Sequence, residues 1–206
     1  MTTVDGAWVV LIPVKTLSEA KSRFADAPAR ADLALAFAGD TIAAAAAVTR
    51  VVVVTDDPVV ADLARGLGAT VEGQGPVPGL NPALRHGADA VRHGDARSRL
   101  AVVAGDLPAL RPDDLAAVLS AADGHPRAFV SDAEGTGTTL LAVAAGAALD
   151  PLFGPRSRAA HHASGAVELP GSPGLRRDVD DEVGLWDACR LGVGPRTLAA
   201  LQRAGS

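Results

Sequence analysis

The stretch Arg99-Leu100-Ala101-Val102-Val103-Ala104-Gly105-Asp106-Leu107-Pro108 is a short apolar run that ends at a Gly-Asp pair and then meets a proline. Its shortness, its β-branched residues and the flanking turn formers favour a buried parallel strand over a helix. Asp106 is then expected just past the carboxyl end of a central strand, where open α/β sheets bind ligands. A carboxylate there is suited to hold a metal ion against a phosphate. The alternative is that Asp106 only tightens the turn before Pro108, and this stretch alone favours neither reading.

Outward from this strand, apolar runs alternate with helical patterns, which predicts a mostly parallel sheet covered by helices on both faces. The strands are predicted at residues 7–13, 50–55, 69–72, 99–103, 128–132, 138–144, 166–169 and 175–179. The helices are predicted at residues 30–48, 58–67, 82–93, 112–122, 157–164, 182–191 and 195–203. The short link between Asp132 and Thr138 suits a hairpin, so the sheet becomes mixed late in the chain. We predict a three-layer, Rossmann-like α/β fold with residues 1–206 forming a single domain.

Composition limits the classes of function. The chain has 48% hydrophobic and 21% charged residues and a net charge of −5, so no broad basic field favours a nucleic-acid partner. Cys189 is the only cysteine, which excludes an intramolecular disulfide, and its neighbours Trp186 and Leu191 predict a buried side chain. No signal-peptide pattern and no apolar run of about 20 residues is present, so we expect a cytoplasmic protein without a membrane partner.

Three cations follow the first predicted strand. Lys15 lies at the end of that strand, and Lys21 and Arg23 come soon after it. A triphosphate needs several converging donors of this kind, although Lys and Arg in a loop are more commonly just solvated. The sequence after the strand has neither a P-loop nor a Gly-x-Gly-x-x-Gly pattern, which disfavours a Walker ATPase or a dinucleotide oxidoreductase.

A second acidic segment precedes the helix predicted at 182–191. Asp178 and Asp180 are two residues apart, so in an extended segment they point to one face and could share an ion, with Asp181 pointing away. The competing interpretation, stronger from the residues alone, is that the segment is an acidic cap for the helix that follows.

Other polar residues leave several readings open. Asn81 could cap a helix, the safer reading, or read a base edge with its amide. His161 and His162 point about 100° apart on a helix, so we treat them as surface residues rather than as ligands of one metal. Threonines such as Thr139 are usually in strands for their β propensity. Ser157 fits both a helix N-cap and, with Gly154, an anion site at the start of a helix.

Two motifs carry a family resemblance: residues 13–23, Pro-Val-Lys-Thr-Leu-Ser-Glu-Ala-Lys-Ser-Arg, and residues 105–108, Gly-Asp-Leu-Pro. They resemble the guanylyltransferases that make the phospho-lactyl or enolpyruvyl guanosine diphosphate precursor of the deazaflavin coenzyme F-420. Residues 79–84, 135–140, 154–157 and 178–180 match in the same order, from about Val10 to Trp186. Within the family, the chain is similar to the actinobacterial phosphoenolpyruvate guanylyltransferases. It lacks the glycine-rich loop with an arginine that many related nucleotidyltransferases carry after the first strand.

The resemblance implies a reaction and a site. GMP would pass from GTP to phosphoenolpyruvate, forming enolpyruvyl-diphospho-guanosine and releasing pyrophosphate. The acceptor phosphate is already ionised, so no strong general base is needed. The implied groups are Lys15, Lys21 and Arg23 for the triphosphate, Asn81 for the nucleotide, Asp106, Asp178 and Asp180 for Mg²⁺, and Thr139, Gly154 and Ser157 for the acceptor.

Two rival functions stay open at this point. In one, the acceptor is 2-phospho-L-lactate, because one set of donors would bind either acid. In the other, the chain is a non-catalytic nucleotide-binding module on the same sheet. A homodimer is compatible with the sequence, and the resemblance implies that a downstream transferase of the coenzyme pathway receives the product.

Overall fold

The computed structural model describes residues 6–16 and 27–204 of the chain. The strands are β1 (Trp8–Pro13), β2 (Arg50–Val54), β3 (Thr70–Glu72), β4 (Arg99–Val103), β5 (Arg127–Ser131), β6 (Thr138–Val143) and β7 (Val167–Glu168). The helices are α1 (Ala27–Ala46), α2 (Pro58–Gly66), α3 (Leu80–Gly94), α4 (Pro112–Ala122), α5 (Ser157–Ala163), α6 (Pro173–Arg176), α7 (Glu182–Leu191) and α8 (Pro195–Ala204).

All these strands form one sheet in the order β3-β2-β1-β4-β6-β5-β7. The pairs β1–β2, β1–β4, β2–β3 and β5–β7 are parallel, whereas β6 is antiparallel to both β4 and β5. The predicted mixed sheet and the late hairpin are therefore confirmed. Because β6 alone runs the other way, its amino end lies at the same edge of the sheet as the carboxyl ends of the other strands.

Both faces of the sheet are buried because alternate strand residues point to opposite sides. On β1, Val10 and Ile12 join one apolar cluster, which includes side chains of α1, α2 and α4. Val9 and Leu11 join the other, which includes side chains of α3. A third cluster around Phe37 joins α1 to α7 and α8. These three layers match the predicted fold class.

Two local predictions were wrong. Residues 175–179 were expected as a strand, but Leu175 and Arg176 end the short helix α6 and residues 177–179 form neither helix nor strand. The helix forms because the Ser172 side chain accepts a hydrogen bond from the Leu175 N–H and Pro173 opens the first turn. Cys189 was expected to be buried but is exposed, because α7 turns Gly184 and Ala188 inward instead.

Two further points concern the chain as a whole. In the ranges that the structure describes, no helix combines the length and the apolar character needed to cross a membrane. That residues 1–206 form a single domain stays a prediction.

Candidate active site

The loop after the central strand β4 is held by distant parts of the chain. The Ala104 N–H donates to the Thr139 carbonyl at 2.8 Å, and the Leu107 N–H donates to the Thr41 hydroxyl of α1 at 3.0 Å. A Cβ at Gly105 would lie 2.6 Å from the Pro13 carbonyl oxygen, so only glycine allows β1 and this loop to approach so closely. The loop therefore presents Asp106 from a fixed backbone at the carboxyl edge of the sheet.

Three predicted carboxylates come together at this loop. The Val179 N–H donates to the Asp106 carbonyl at 3.1 Å, which brings the segment carrying Asp178 and Asp180 against Asp106. Burial of Asp178, and next the charges of Asp106 and Asp180, raise the pKa of the Asp178 carboxyl to about 7. Asp181 instead caps α7, accepting from the Gly184 N–H at 2.9 Å. The acidic-cap interpretation thus holds for Asp181, while Asp178 and Asp180 lie beside Asp106.

The donor set suits a hard divalent cation. In the described residues, no three His, Cys, Asp or Glu side chains are arranged to hold a metal ion by themselves. Mg²⁺ sites in nucleotide-processing proteins commonly use one or two carboxylates and complete the coordination with substrate phosphates and water. Asp178, whose pKa is raised by burial and next by the neighbouring charges of Asp106 and Asp180, supplies a carboxylate for that kind of site.

The cationic group is described only in part. Lys15 is exposed just after β1, and the preceding Val14 N–H donates to the Val54 carbonyl at the end of β2 at 3.1 Å. Lys15 thus stands at the same edge of the sheet as the loop after β4. Lys21 and Arg23 lie outside the described residues, so their roles stay predictions.

The predicted acceptor residues come from two neighbouring segments. Thr139 is the second residue of β6 and is fully buried, and its hydroxyl has no hydrogen-bond partner among the residues that the structure describes. Ser157 is also buried and is the first residue of α5. Its N–H donates to the Gly154 carbonyl at 3.1 Å, and Gly154 has a φ of 134°, which favours glycine.

Asn81 does not cap α3, because that helix begins at Leu80 with Gly79 in the capping position. Its amide instead binds the main chain of Phe153 twice. The Asn81 Nδ2–H donates to the Phe153 carbonyl, and the Phe153 N–H donates to Asn81 Oδ1, both at 2.9 Å. The capping interpretation was therefore wrong, and reading of the base by Asn81 stays a prediction.

His161 was expected at the surface, and this was wrong, because the side chain is fully buried between Phe129 and Phe153. Nε2 accepts from the Leu152 N–H at 3.0 Å, and Nδ1 lies 2.9 Å from the Thr138 hydroxyl. Burial, and next the charge of Arg127, lower the pKa of His161 to about 4. His162, its neighbour, is exposed as expected.

Asp132 was missed by sequence reasoning. It is 8% exposed, and its carboxylate accepts from the Thr136 N–H at 2.8 Å and the Gly137 N–H at 2.6 Å. A Cβ at Gly137 would lie 2.3 Å from this carboxylate. The Asp-x-x-x-Thr-Gly spacing was the available signal, since an aspartate often binds the backbone of its own turn.

Arg176 was missed as well. The NH2 nitrogen of its guanidinium donates to the Asp132 carbonyl at 2.8 Å, and its own carbonyl accepts from the Ala133 N–H at 2.8 Å. Arg158 is paired with Glu168 at 3.0 Å and also donates to the Gly135 carbonyl. These contacts tie the β5–β6 loop to α5 and α6, and no sequence pattern indicated them.

The overall fold is similar to that of several solved structures. A Desulfovibrio desulfuricans G20 protein described as a nucleotide-diphospho-sugar transferase superposes with a TM-score of 0.68 at 15% identity, covering 95% of this chain and 94% of that one. A 4-diphosphocytidyl-2C-methyl-D-erythritol synthase gives 0.59 at 13% identity, covering 90% and 98%. Rv0371c from Mycobacterium tuberculosis H37Rv, solved in complex with manganese, gives 0.56 at 18% identity, covering 90% and 97%. The fold is that of the nucleotidyltransferases.

Sequence similarity is more specific. The model of the family described as "Guanylyl transferase CofC like" matches residues 8–161. A phosphoenolpyruvate guanylyltransferase of Streptomyces scabiei (strain 87.22) is 53% identical, with 95% of this chain and 96% of the relative covered. Another, from Thermomonospora curvata, is 51% identical over 95% of this chain and 89% of the relative. The chain belongs to the CofC-like guanylyl transferase family, as the resemblance of its motifs implied.

Proposed function

We propose that this protein transfers GMP from GTP to phosphoenolpyruvate, forming enolpyruvyl-diphospho-guanosine for coenzyme F-420 biosynthesis. The observation that carries the proposal is the match to relatives named phosphoenolpyruvate guanylyltransferase, at about half identity over almost the full chain. The carboxylate cluster beside the loop after β4 supports it, because the reaction gathers the negative charge of two phosphorylated substrates in one place.

The chemical step needs little proton transfer. An oxygen of the acceptor phosphate forms a bond to the α-phosphorus of GTP, and the bond from that phosphorus to the bridging α,β-oxygen breaks, so that its electron pair leaves with pyrophosphate. Since the attacking phosphate is already ionised, positioning and charge neutralisation supply most of the rate. This explains why a site rich in fixed backbone contacts suffices without a strong general base.

Different residues of the chain are assigned to the triphosphate, to the rest of the nucleotide and to the acceptor. Lys15, with Lys21 and Arg23, grips the triphosphate. Asn81 has a second amide hydrogen beyond the one given to Phe153, and we assign that hydrogen to the nucleotide. Thr139, Gly154 and Ser157 hold the acceptor. The buried Thr139 hydroxyl has no partner within residues 6–16 and 27–204, which supports this assignment, because such a group is stabilised when a ligand supplies one.

The carboxylates Asp106, Asp178 and Asp180 would hold Mg²⁺. When bound, the ion offsets the charge that accumulates on the phosphates during the transfer. Asp106, on its fixed loop, sets the position of the acidic group, and a bound cation would favour the ionised form of Asp178, whose pKa is raised by burial first and then by Asp106 and Asp180. The manganese complex of the structurally similar Rv0371c agrees with divalent-ion use in this fold.

The assay that tests the function measures pyrophosphate release by the purified protein with GTP and Mg²⁺. We expect release with phosphoenolpyruvate, and no comparable release when ATP replaces GTP. Release of pyrophosphate with 2-phospho-L-lactate but not with phosphoenolpyruvate would show that 2-phospho-L-lactate is the acceptor. GTP binding without release with either acid would instead indicate a non-catalytic nucleotide-binding module.

The setting of the reaction is part of the proposal. We place it in the cytoplasm, with a downstream transferase of the same pathway receiving the product. A homodimer is the proposed assembly, and light scattering of the purified protein would test it.

A further inference from the structure

Residues 152–157, which we term the 152–157 turn, are fixed from two sides. The Leu152 N–H donates to His161 Nε2 at 3.0 Å, and both main-chain polar groups of Phe153 bind the Asn81 amide. The turn then passes through Gly154 and through Arg156, which has a φ of 59°, into α5. A non-glycine residue in this left-handed region costs energy, so surrounding contacts must hold the turn in place.

The hydrogen-bond partners of His161 determine where its proton lies. The Leu152 N–H is always a donor, so Nε2 must be the unprotonated nitrogen. In the neutral ring the proton is then on Nδ1, which donates to the Thr138 hydroxyl oxygen at 2.9 Å. The ring therefore joins the amino end of β6 to the 152–157 turn with one bond in each direction.

These two segments carry the proposed acceptor residues. Thr138 is followed directly by Thr139, while the 152–157 turn contains Gly154 and ends at Ser157. His161 lies one helical turn after Ser157 on α5, and both side chains are buried on the same face of that helix. The aromatic contacts with Phe129 and Phe153, at 5.9 and 5.1 Å between ring centroids, fix the plane of the imidazole.

We propose that His161 is a positioning residue for the acceptor, because its ring sets the spacing between the amino end of β6 and the 152–157 turn. This inference rests on the proposed function, since it assumes that Thr139, Gly154 and Ser157 bind the acceptor. His161 itself is buried behind both segments and acts only through them. Loss of its bonds therefore weakens acceptor binding, while the grip of Lys15 on the triphosphate is unchanged.

Three substitutions of His161 test its two hydrogen bonds, to Thr138 and to Leu152, separately. His161→Phe keeps an aromatic ring and removes both hydrogen bonds. His161→Asn places an amide near the position of Nδ1 and preserves the contact with Thr138, whereas His161→Gln reaches the Leu152 N–H. The matched control is His162→Phe, one residue along the same helix and exposed. Each variant is checked for folding by its melting temperature before kinetics.

The readout is the KM for phosphoenolpyruvate against the KM for GTP, from pyrophosphate release. In His161→Phe we expect the acceptor KM to rise about tenfold or more, because small displacements of positioning groups are costly, while the KM for GTP stays within about twofold. The Asn and Gln variants should each recover part of the loss, and His162→Phe should match the wild type. If His161→Phe does not fold, the Asn and Gln variants carry the comparison.

Two failures are distinguishable. Equal rises in both KM values, or none, in variants of a wild type that is active with phosphoenolpyruvate would overturn the positioning role alone. Absence of release by the wild type with either acid would overturn the proposed function, and the acceptor role of His161 with it.

Discussion

The carboxylate cluster and the 152–157 turn lie at the same edge of one sheet but are built in opposite ways. In the cluster, burial of Asp178, and next the charges of Asp106 and Asp180, raise the pKa of its carboxyl to about 7. Behind the 152–157 turn, His161 is neutral, and both of its ring nitrogens have hydrogen-bond partners. The cluster gains from a cation that neutralises it, whereas the turn is complete within the protein.

This difference shows that the 152–157 turn is organised before a ligand binds, whereas the carboxylate cluster is suited to a ligand that brings positive charge. Carboxylates that are to bind a metal bring like charges together, and this proximity, added to burial, disfavours the ionised form of Asp178. A pocket for a small acid gains instead from being rigid beforehand, because ordering costs are then avoided on binding. Substitutions in the two regions should therefore differ in kind as well as in size.

The largest effect is expected at Asp106. Asp106→Asn keeps the volume and the backbone contacts of the loop but removes the charge, so we expect kcat to fall at least about 100-fold with little change in the melting temperature. Pyrophosphate release at fixed Mg²⁺ measures kcat, and thermal unfolding measures the melting temperature. Asp62→Asn, on the exposed face of α2, is the matched control and should be active. Normal turnover in Asp106→Asn would remove this residue from the mechanism.

The second prediction concerns acid stability and His161. Its pKa is about 4 in the folded protein and about 6.5 in the unfolded chain, so between these values the unfolded chain binds more protons. Folding free energy is then lost as the pH falls from about 6.5 to about 4, up to about 3 kcal/mol. Urea unfolding across this range should show that loss, and His161→Phe should remove it. An unchanged slope in that variant would place the acid sensitivity elsewhere.

The third prediction has the opposite sign. The pKa of Asp178 is raised in the folded protein, so folding stability is lost as the pH rises from about 4 to about 7. Asp178→Asn should therefore be more stable than the wild type at pH 8 without divalent ions, on the order of 2 kcal/mol after allowance for residual solvent screening. Adding Mg²⁺ should stabilise the wild type and not the variant, because binding to the folded state raises stability. A variant less stable than the wild type at pH 8 would contradict this.

The smallest effects are expected in a pair of variants on either side of the site. Asn81→Ala frees Phe153, so the KM for phosphoenolpyruvate should rise about tenfold and the KM for GTP by less. Lys15→Gln removes a phosphate contact, and the KM for GTP should show the larger rise. Steady-state kinetics with each substrate varied in turn gives both ratios. If Asn81→Ala raised the KM for GTP more than the KM for phosphoenolpyruvate, base recognition would be the main role of Asn81.

The sequence was most informative where local rules apply. Strand patterns predicted the sheet, and the short link between β5 and β6 predicted the hairpin. The helix predicted to start at Pro112 is α4. Each of these predictions depends on residues close in the chain. The position of Asp106 also followed from such a pattern. Its neighbours Asp178 and Asp180 were assigned by resemblance, since nothing local shows that two distant segments meet.

The errors arose where a partner lies far along the chain. Asn81 was read as a cap because its partner, Phe153, is remote in sequence. His161 was predicted at the surface because it diverges from His162 on a helix and the pair does not suit one metal. Its contacts with Phe129, Thr138 and Leu152 come from remote segments or from a preceding loop and could not be read from that spacing. The strand prediction at residues 175–179 is a different kind of error, because the Ser172 cap and Pro173 that start α6 are local signals that it overlooked.

The sheet order also has a consequence for folding. The β5–β6 hairpin pairs residues near one another in the chain, whereas β4 pairs with β1 between Arg99 and Trp8, across most of the preceding sequence. Local pairings close smaller loops and form faster than distant ones. During synthesis the hairpin can form before Asp178 has been made, and Asp178 meets Asp106 only afterwards. The polypeptide thus acquires its repulsive acidic group after its sheet, when the assembled strands can already resist that repulsion.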